Sequence, residues 1–107
     1  IGLGTLAIGG GGYGPVDDRE SITAIRRAIE LGVNFIDTSD NYGLGHAEVV
    51  VGRAIRGVRE KVVLATKGGT PWDNQGRVVI DCRKEVIIRA AEESLRRLGT
   101  DWIDLYQ

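Results

Sequence analysis

Short apolar segments alternate along the chain with longer segments whose apolar residues recur at helical spacing. Strands are predicted at residues 1–8, where the chain then enters a run of glycines, and at 33–37, 62–66 and 102–106. The pattern repeats at roughly 30 residues, the length of one βαβ unit, and predicts the order β-α-β-α-β-α-β. Continuous apolar strands between amphipathic helices are typical of a parallel sheet covered by helices.

Helix boundaries are marked by capping residues. Asp17 is a predicted N-cap, with Glu20 three residues later as in a capping box, and Gly32 suits the position after the helix end. The second helix is expected to begin near His46 and to end before Gly57. The third is expected from about Arg83 to Leu98, with Gly99 as its stop, and its inward face holds Val86, Ile87, Ala90, Ala91, Ser94, Leu95 and Leu98.

This pattern fits two architectures, a doubly wound sheet and a closed barrel. Both place function at the carboxyl ends of the strands. In this chain those ends are predicted at residues 7–9, at Asp37 and at Lys67.

Three polar side chains at or near these strand ends are therefore candidates for a catalytic site. Asp37 ends one strand, Lys67 ends the next, and Tyr42 lies in the loop after Asp37. Neighbouring strands lie about 4.8 Å apart, so the aspartate and the lysine can pair. A phenol beside an ammonium ion gives up its proton more readily, which suits it to general acid catalysis. Each residue alone also has an ordinary structural explanation, as a rim charge, a turn cap or loop packing.

Composition narrows the function classes. The 107 residues carry a net charge of −1, which argues against nucleic acid as a partner. No apolar run approaches the ~18 residues of a membrane helix, and no signal peptide is visible. A single cysteine, Cys82, fits a reducing cytoplasm. Both ends lie inside apolar runs and look cut, and a full barrel needs about 250 residues.

Several other features favour simpler interpretations. Residues 9–14 satisfy the dinucleotide fingerprint of a Rossmann domain, but Pro15 delays the helix and two aspartates would face the diphosphate. His46 is expected to cap a helix or lie on the surface, and Cys82 to be structural. One histidine and one cysteine cannot supply a metal site. Trp72 and Tyr13 could line the entrance to a substrate site, or they could pack against their own loops.

The chain resembles the aldo-keto reductases over nearly its whole length. Residues 32–43, Gly-Val-Asn-Phe-Ile-Asp-Thr-Ser-Asp-Asn-Tyr-Gly, are similar to the family's signature segment. The other matching segments follow in the family's order: 2–10, 45–48, 51–55, 65–67, 94–99 and 101–107.

The resemblance implies an α/β fold that is part of a (β/α)8 TIM barrel, with about strands 1–4 and helices 1–3. Residues 1–107 would be the N-terminal part of one barrel domain, truncated at both ends. It implies reduction of aldehydes and ketones by NADPH, with NADH as the alternative. Tyr42 would be the proton donor, Lys67 its activator and Asp37 the partner of Lys67. Gly4, Thr5, Leu6 and Asp37 would line the cofactor, and the family's catalytic histidine is expected after Gln107.

Two non-catalytic functions are also consistent with the sequence. Some barrels of this family are cofactor-binding regulatory subunits. A half-barrel scaffold is the other alternative, and its unpaired edge strands would favour self-association. We expect the 107 residues alone to lack useful reductase activity.

Overall fold

The computed structural model describes residues 1–10 and 14–107, and these form a four-stranded sheet flanked by three α-helices. Their order along the chain is β1 (Gly2–Gly4), α1 (Asp18–Glu30), β2 (Phe35–Asp37), α2 (His46–Ile55), β3 (Val63–Thr66), α3 (Lys84–Leu98) and β4 (Leu105–Tyr106). Short 3-10 turns occupy Leu6–Gly9 and Arg59–Lys61.

The strands are parallel and lie in sequential order, β1-β2-β3-β4. A doubly wound sheet reverses its strand order to put helices on both faces. Here each crossover steps in the same direction, and right-handed crossovers then leave every helix on one side of the sheet. Accordingly α1 packs against α2, and α2 against α3. The topology is that of a barrel segment and not of a doubly wound sheet, which agrees with the sequence argument against a Rossmann fingerprint at residues 9–14; residues 11–13 lie outside the described residues.

The predicted helix boundaries are confirmed by their caps. The Asp17 carboxylate accepts hydrogen bonds from the backbone amides of Arg19 and Glu20. Gly32, with φ of +101°, ends α1 in a Schellman motif, because its own amide and that of Val33 bond back to Ile29 and Ala28. Gly99 ends α3 in the same manner, and α2 begins at His46 as predicted.

The first strand is shorter than residues 1–8, and this prediction is corrected. After Gly4, the amide of Thr5 still bonds to the carbonyl oxygen of Asp37, but the amide of Ile8 then bonds back to Thr5 and closes a 3-10 turn. Leu6 in that turn is exposed. β1 therefore ends at Gly4, four residues before the predicted end at Ile8.

The core lies between the sheet and the helices. It is formed by nine side chains, Ile25, Ile36, Val50, Val51, Ala54, Ile55, Val62, Leu64 and Leu98. Alternate strand residues point the other way, and two of them, Val63 and Leu105, are 42% and 45% exposed. The helices thus cover one face of the sheet, and the opposite face carries the candidate residues Asp37 and Lys67.

Candidate active site

An ion pair joins the carboxyl ends of β2 and β3. The Nζ atom of Lys67 lies 2.8 Å from Oδ1 and 2.7 Å from Oδ2 of Asp37, and 2.9 Å from the carbonyl oxygen of Thr38. Asp37 pairs in register with Ala65, two residues before Lys67, so both side chains leave the same face of the sheet. Both remain about one-third exposed. The predicted Asp37–Lys67 pair is therefore present, and it is open to a ligand.

Tyr42 completes the predicted group. The Lys67 ammonium lies 5.2 Å from the centroid of the Tyr42 ring, which is half-buried in the loop between β2 and α2. This distance is within the range of a cation–π contact. The structure brings Asp37, Tyr42 and Lys67 together at the carboxyl ends of β2 and β3, an edge of the sheet here called the rim.

Close backbone packing fixes the position of Tyr42. The backbones of Gly9 and Gly43 are in contact, and a Cβ atom on Gly9 would lie 2.7 Å from both the Gly43 nitrogen and the Tyr42 carbonyl carbon. Gly43 also has φ of +59°, which disfavours other residues. The turn after β1 therefore packs against the loop that carries Tyr42, here called the tyrosine loop. The sequence did not indicate this contact.

The predicted cofactor-binding residues lie at the end of β1, beside Asp37. Gly4 has no atom within 4 Å of where a Cβ would stand, and Leu6 is 45% exposed, so both border open space. Thr5 is fully buried, and its Oγ1 donates a 3.0 Å hydrogen bond to the carbonyl oxygen of Asp37. Thr5 thus fastens β1 to the residue that carries the candidate carboxylate.

A buried polar cluster lies beneath the rim, on the helix side of the sheet. Glu48 of α2 is fully buried and accepts 2.6 Å hydrogen bonds from Oγ1 of Thr66 and Nε of Arg97. Burial and the nearby Glu48 charge raise the pKa of Asp40 above its ordinary value, although hydrogen bonds from Thr70 and Ser39 act against this. A charged residue inside a helix normally faces solvent, so nothing in the sequence indicated a buried Glu48.

A second tyrosine lies near this cluster. The Tyr106 hydroxyl is buried without a hydrogen-bond partner in the described part of the chain. Burial, reinforced by the carboxylates of Asp40 and Glu48, raises its pKa to about 12. Tyr106 is therefore a poor proton donor at neutral pH, whereas Tyr42 is only half-buried.

The remaining candidates do not join the site. His46 is bonded through Nε2 to Asp18 at 2.8 Å on the surface, and Cys82 is exposed. Trp72 lies over the Arg97 guanidinium, with 5.6 Å to its ring centroid, and borders an open cavity of about 380 Å³ beside α3. Tyr13 lies outside the described residues.

Within residues 1–10 and 14–107, no cluster of three His, Cys, Asp or Glu side chains could hold a metal ion. None of the helices in this part of the chain is both long and apolar enough to cross a membrane.

The sequential parallel strands are those of a barrel segment, and an Asp–Lys pair and a tyrosine lie at their carboxyl ends. The sequence matches the aldo/keto reductase family over residues 1–107, and the chain belongs to that family. The resemblance seen in the sequence is thereby confirmed.

Named relatives agree with the assignment. The chain is 46% identical to the aldo-keto reductase YhdN of Bacillus subtilis, over all of this chain and 33% of the relative. It is 39% identical to the NADH-specific methylglyoxal reductase of Escherichia coli, over 99% of this chain and 36% of the relative. The chain thus spans about a third of the length of these relatives.

Solved structures agree with the fold. The holo form of an aldo-keto reductase from Bacillus halodurans matches with a TM-score of 0.88 and 38% identity, over all of this chain and 34% of that one. An aldo/keto reductase from Klebsiella pneumoniae in complex with NADP and acetate matches with a TM-score of 0.78 and 38% identity, over 99% and 33% of the two chains. The predicted partial barrel fold is confirmed.

Proposed function

We propose that the protein reduces aldehydes or ketones to alcohols with NADPH, with NADH as the alternative donor, and that Asp37, Tyr42 and Lys67 act at the reacting carbonyl. The observation that carries this proposal is the Lys67 ammonium, held by Asp37 and Thr38 at 2.7–2.9 Å beside the Tyr42 ring. Family membership supports it, because carbonyl reduction by a nicotinamide is the reaction that membership implies.

The three side chains divide the work as follows. Tyr42 donates its phenolic proton to the carbonyl oxygen of the substrate, and this oxygen becomes the hydroxyl of the alcohol. The Lys67 charge stabilises the tyrosinate that this leaves, and a proton from solvent restores the phenol. Asp37 holds the Lys67 ammonium in place through two hydrogen bonds. The nicotinamide, when bound, supplies the hydride that reaches the carbonyl carbon.

The end of β1 fits the cofactor role proposed for it. Gly4 and Leu6 border open space next to Asp37, so a flat ring system can approach the backbone there. Thr5 uses its amide, hydroxyl and carbonyl within the protein, and it contributes by fixing the shape of the chain between Gly4 and Leu6. We assign this strand end to the nicotinamide-ribose part of the cofactor.

The relatives favour a small carbonyl substrate, and they include proteins that use or bind either of the two nicotinamide cofactors. One relative is an NADH-specific methylglyoxal reductase, whereas the Klebsiella structures contain NADP or NADPH. We therefore propose a small aldehyde or ketone, and we place NADPH ahead of NADH.

The test is steady-state oxidation of NADPH and of NADH by the protein expressed from its natural gene, with methylglyoxal and a simple aromatic aldehyde as substrates. The proposal expects nicotinamide oxidation that depends on the aldehyde, with the alcohol formed in equal amount. Tight NADPH binding without turnover of either aldehyde would overturn it, and would favour a cofactor-binding regulatory protein.

A further inference from the structure

The side chain of Gln107 reaches the Asp37–Lys67 pair from the next strand. Its Nε2 donates a hydrogen bond to Oδ1 of Asp37 at 3.2 Å. The two residues are 70 positions apart in sequence, and β3 lies between their strands. The contact therefore spans the carboxyl ends of three strands.

Strand register explains why the contact forms. β4 pairs with β3 through Ala65–Leu105 and Thr66–Tyr106, which makes Gln107 the neighbour of Lys67. Two backbone bonds hold Gln107 there, from its amide to the Thr66 carbonyl at 2.9 Å and from the Gly68 amide to its own carbonyl at 3.0 Å. Residues in register on parallel strands point their side chains to the same face, so Gln107 and Lys67 lie side by side.

The amide of glutamine suits this place. A carboxylate only accepts hydrogen bonds, and Oδ1 of Asp37 is shared between Lys67 and Gln107. The amide supplies a donor without adding a positive charge that would compete with Lys67 for Asp37. It also restricts rotation of the carboxylate, which would otherwise be held on this face by a single side chain.

We propose that Gln107 is a positioning residue, which holds the Asp37 carboxylate against Lys67 through the hydrogen bond from its Nε2. It acts through Asp37 and Lys67 and does not touch the substrate. This inference rests on the proposed function for its kinetic consequence, but the effect on Lys67 itself is measurable without turnover.

The first experiment measures how fast Lys67 is acylated by a small amine-reactive reagent at neutral pH, read by mass spectrometry of the protein expressed from its natural gene. The exposed Lys61 and Lys84 provide internal references. Gln107→Met removes the donor at similar volume, and we expect Lys67 to react about threefold faster or more, as the loss of one hydrogen bond implies. Gln107→Glu adds a negative charge beside Asp37, and we expect Lys67 to react more slowly than in the wild type.

Gln75 provides the matched control, because it is the other glutamine of the chain and is exposed in the loop between β3 and α3. Gln75→Met and Gln75→Glu should leave Lys67 labelling unchanged. Equal Lys67 rates in the wild type and both Gln107 variants would overturn the proposal, whatever the enzyme's activity.

The second experiment measures kcat and KM for aldehyde and NADPH. We expect Gln107→Met to lower kcat roughly tenfold and to change the KM for the aldehyde less than about twofold, because the residue acts through Asp37 and Lys67 on proton transfer and not on aldehyde binding. A loss confined to KM would contradict the positioning role. Absence of turnover in the wild type would contradict the proposed function, and the labelling result would still decide the role of Gln107.

Discussion

Lys67 and Asp37 form a two-point contact, in which the ammonium lies 2.8 and 2.7 Å from the two carboxylate oxygens. With the Thr38 carbonyl at 2.9 Å, these acceptors match in number the three hydrogens of an ammonium group. Lys67 therefore has no hydrogen left to donate to a substrate. Its proposed influence on Tyr42 is that of a fixed positive charge, 5.2 Å from the centroid of the ring.

Lys67→Met removes this charge while retaining most of the aliphatic length. We expect kcat to fall by about 10² or more, because general acid catalysis by Tyr42 loses the charge that stabilises the tyrosinate. The measurement is steady-state NADPH oxidation with a fixed aldehyde, and Lys61→Met, at an exposed position, is the control. Activity within threefold of the wild type in Lys67→Met would contradict the role of the ammonium.

Gly9→Ala tests the backbone contact beneath Tyr42. The added Cβ would lie 2.7 Å from the Gly43 nitrogen, closer than side-chain atoms approach backbone, so the tyrosine loop must move. We expect a loss of about 1–3 kcal/mol of unfolding free energy, as for other overpacking changes. A displaced proton donor should also lower kcat, by about 10-fold or more.

Ala7→Ser is the control for that variant, since it adds one atom to an exposed residue of the same turn. Its stability and kcat should match the wild type. If Gly9→Ala behaves in the same manner, the turn does not hold the tyrosine loop.

Much of this arrangement could be predicted from the sequence, because it depends on local signals. Asp17 and Gly32 mark helix ends through backbone bonds within a few residues, and Asp37 and Lys67 each follow an apolar strand. The contacts of Gln107 and of the Thr38 carbonyl depend on strand register, which no local pattern specifies. The turn at Leu6 was missed for a similar reason, since an apolar run alone cannot distinguish a strand from a turn.

The opposite end of the sheet provides a test of stability that is independent of the chemistry. The Arg59 guanidinium, in a residue only 8% exposed, donates to Thr100, to the carbonyls of Val62 and Trp102, and to Asp104 at 2.8 Å. It also stacks on the Trp102 ring, 4.3 Å from its centroid. These partners precede β3 and β4, where a barrel carries stability and not catalysis.

Arg59→Met leaves these acceptors and the Asp104 charge without their donor. We expect a loss of about 3 kcal/mol in unfolding free energy, measured by urea denaturation. Arg56→Met, at an exposed neighbouring position, should change it by less than about 0.5 kcal/mol. A loss below about 1 kcal/mol in Arg59→Met would show that the cluster contributes little.

Asp40 makes stability depend on pH. Its pKa in the folded protein lies above the ordinary value of 3.8, chiefly because of burial and then of Glu48, so ionised Asp40 destabilises the fold. The stability associated with the protonated form is fully present below pH 3.8 and is lost as pH rises through the raised pKa.

Asp40→Asn stays neutral at every pH and keeps an oxygen for the bonds from Ser39 and Thr70. Its Tm relative to the wild type should therefore increase from about pH 3 to about pH 7. The measurement is thermal unfolding across that range, with Asp101→Asn at an exposed position as the control. A relative Tm that is constant or falls with pH would contradict the assignment.

Tyr42→Phe and Tyr106→Phe each remove only a hydroxyl, and comparing them tests directly whether Tyr42 is the proton donor. Tyr42 lies beside Lys67, whereas the Tyr106 hydroxyl is buried without a partner among the described residues. In steady-state reduction of an aldehyde by NADPH, we expect Tyr42→Phe to lower kcat by about 10²–10⁴ and Tyr106→Phe to stay within about twofold of the wild type. Retained activity in Tyr42→Phe, or an equal loss in both variants, would contradict Tyr42 as the proton donor.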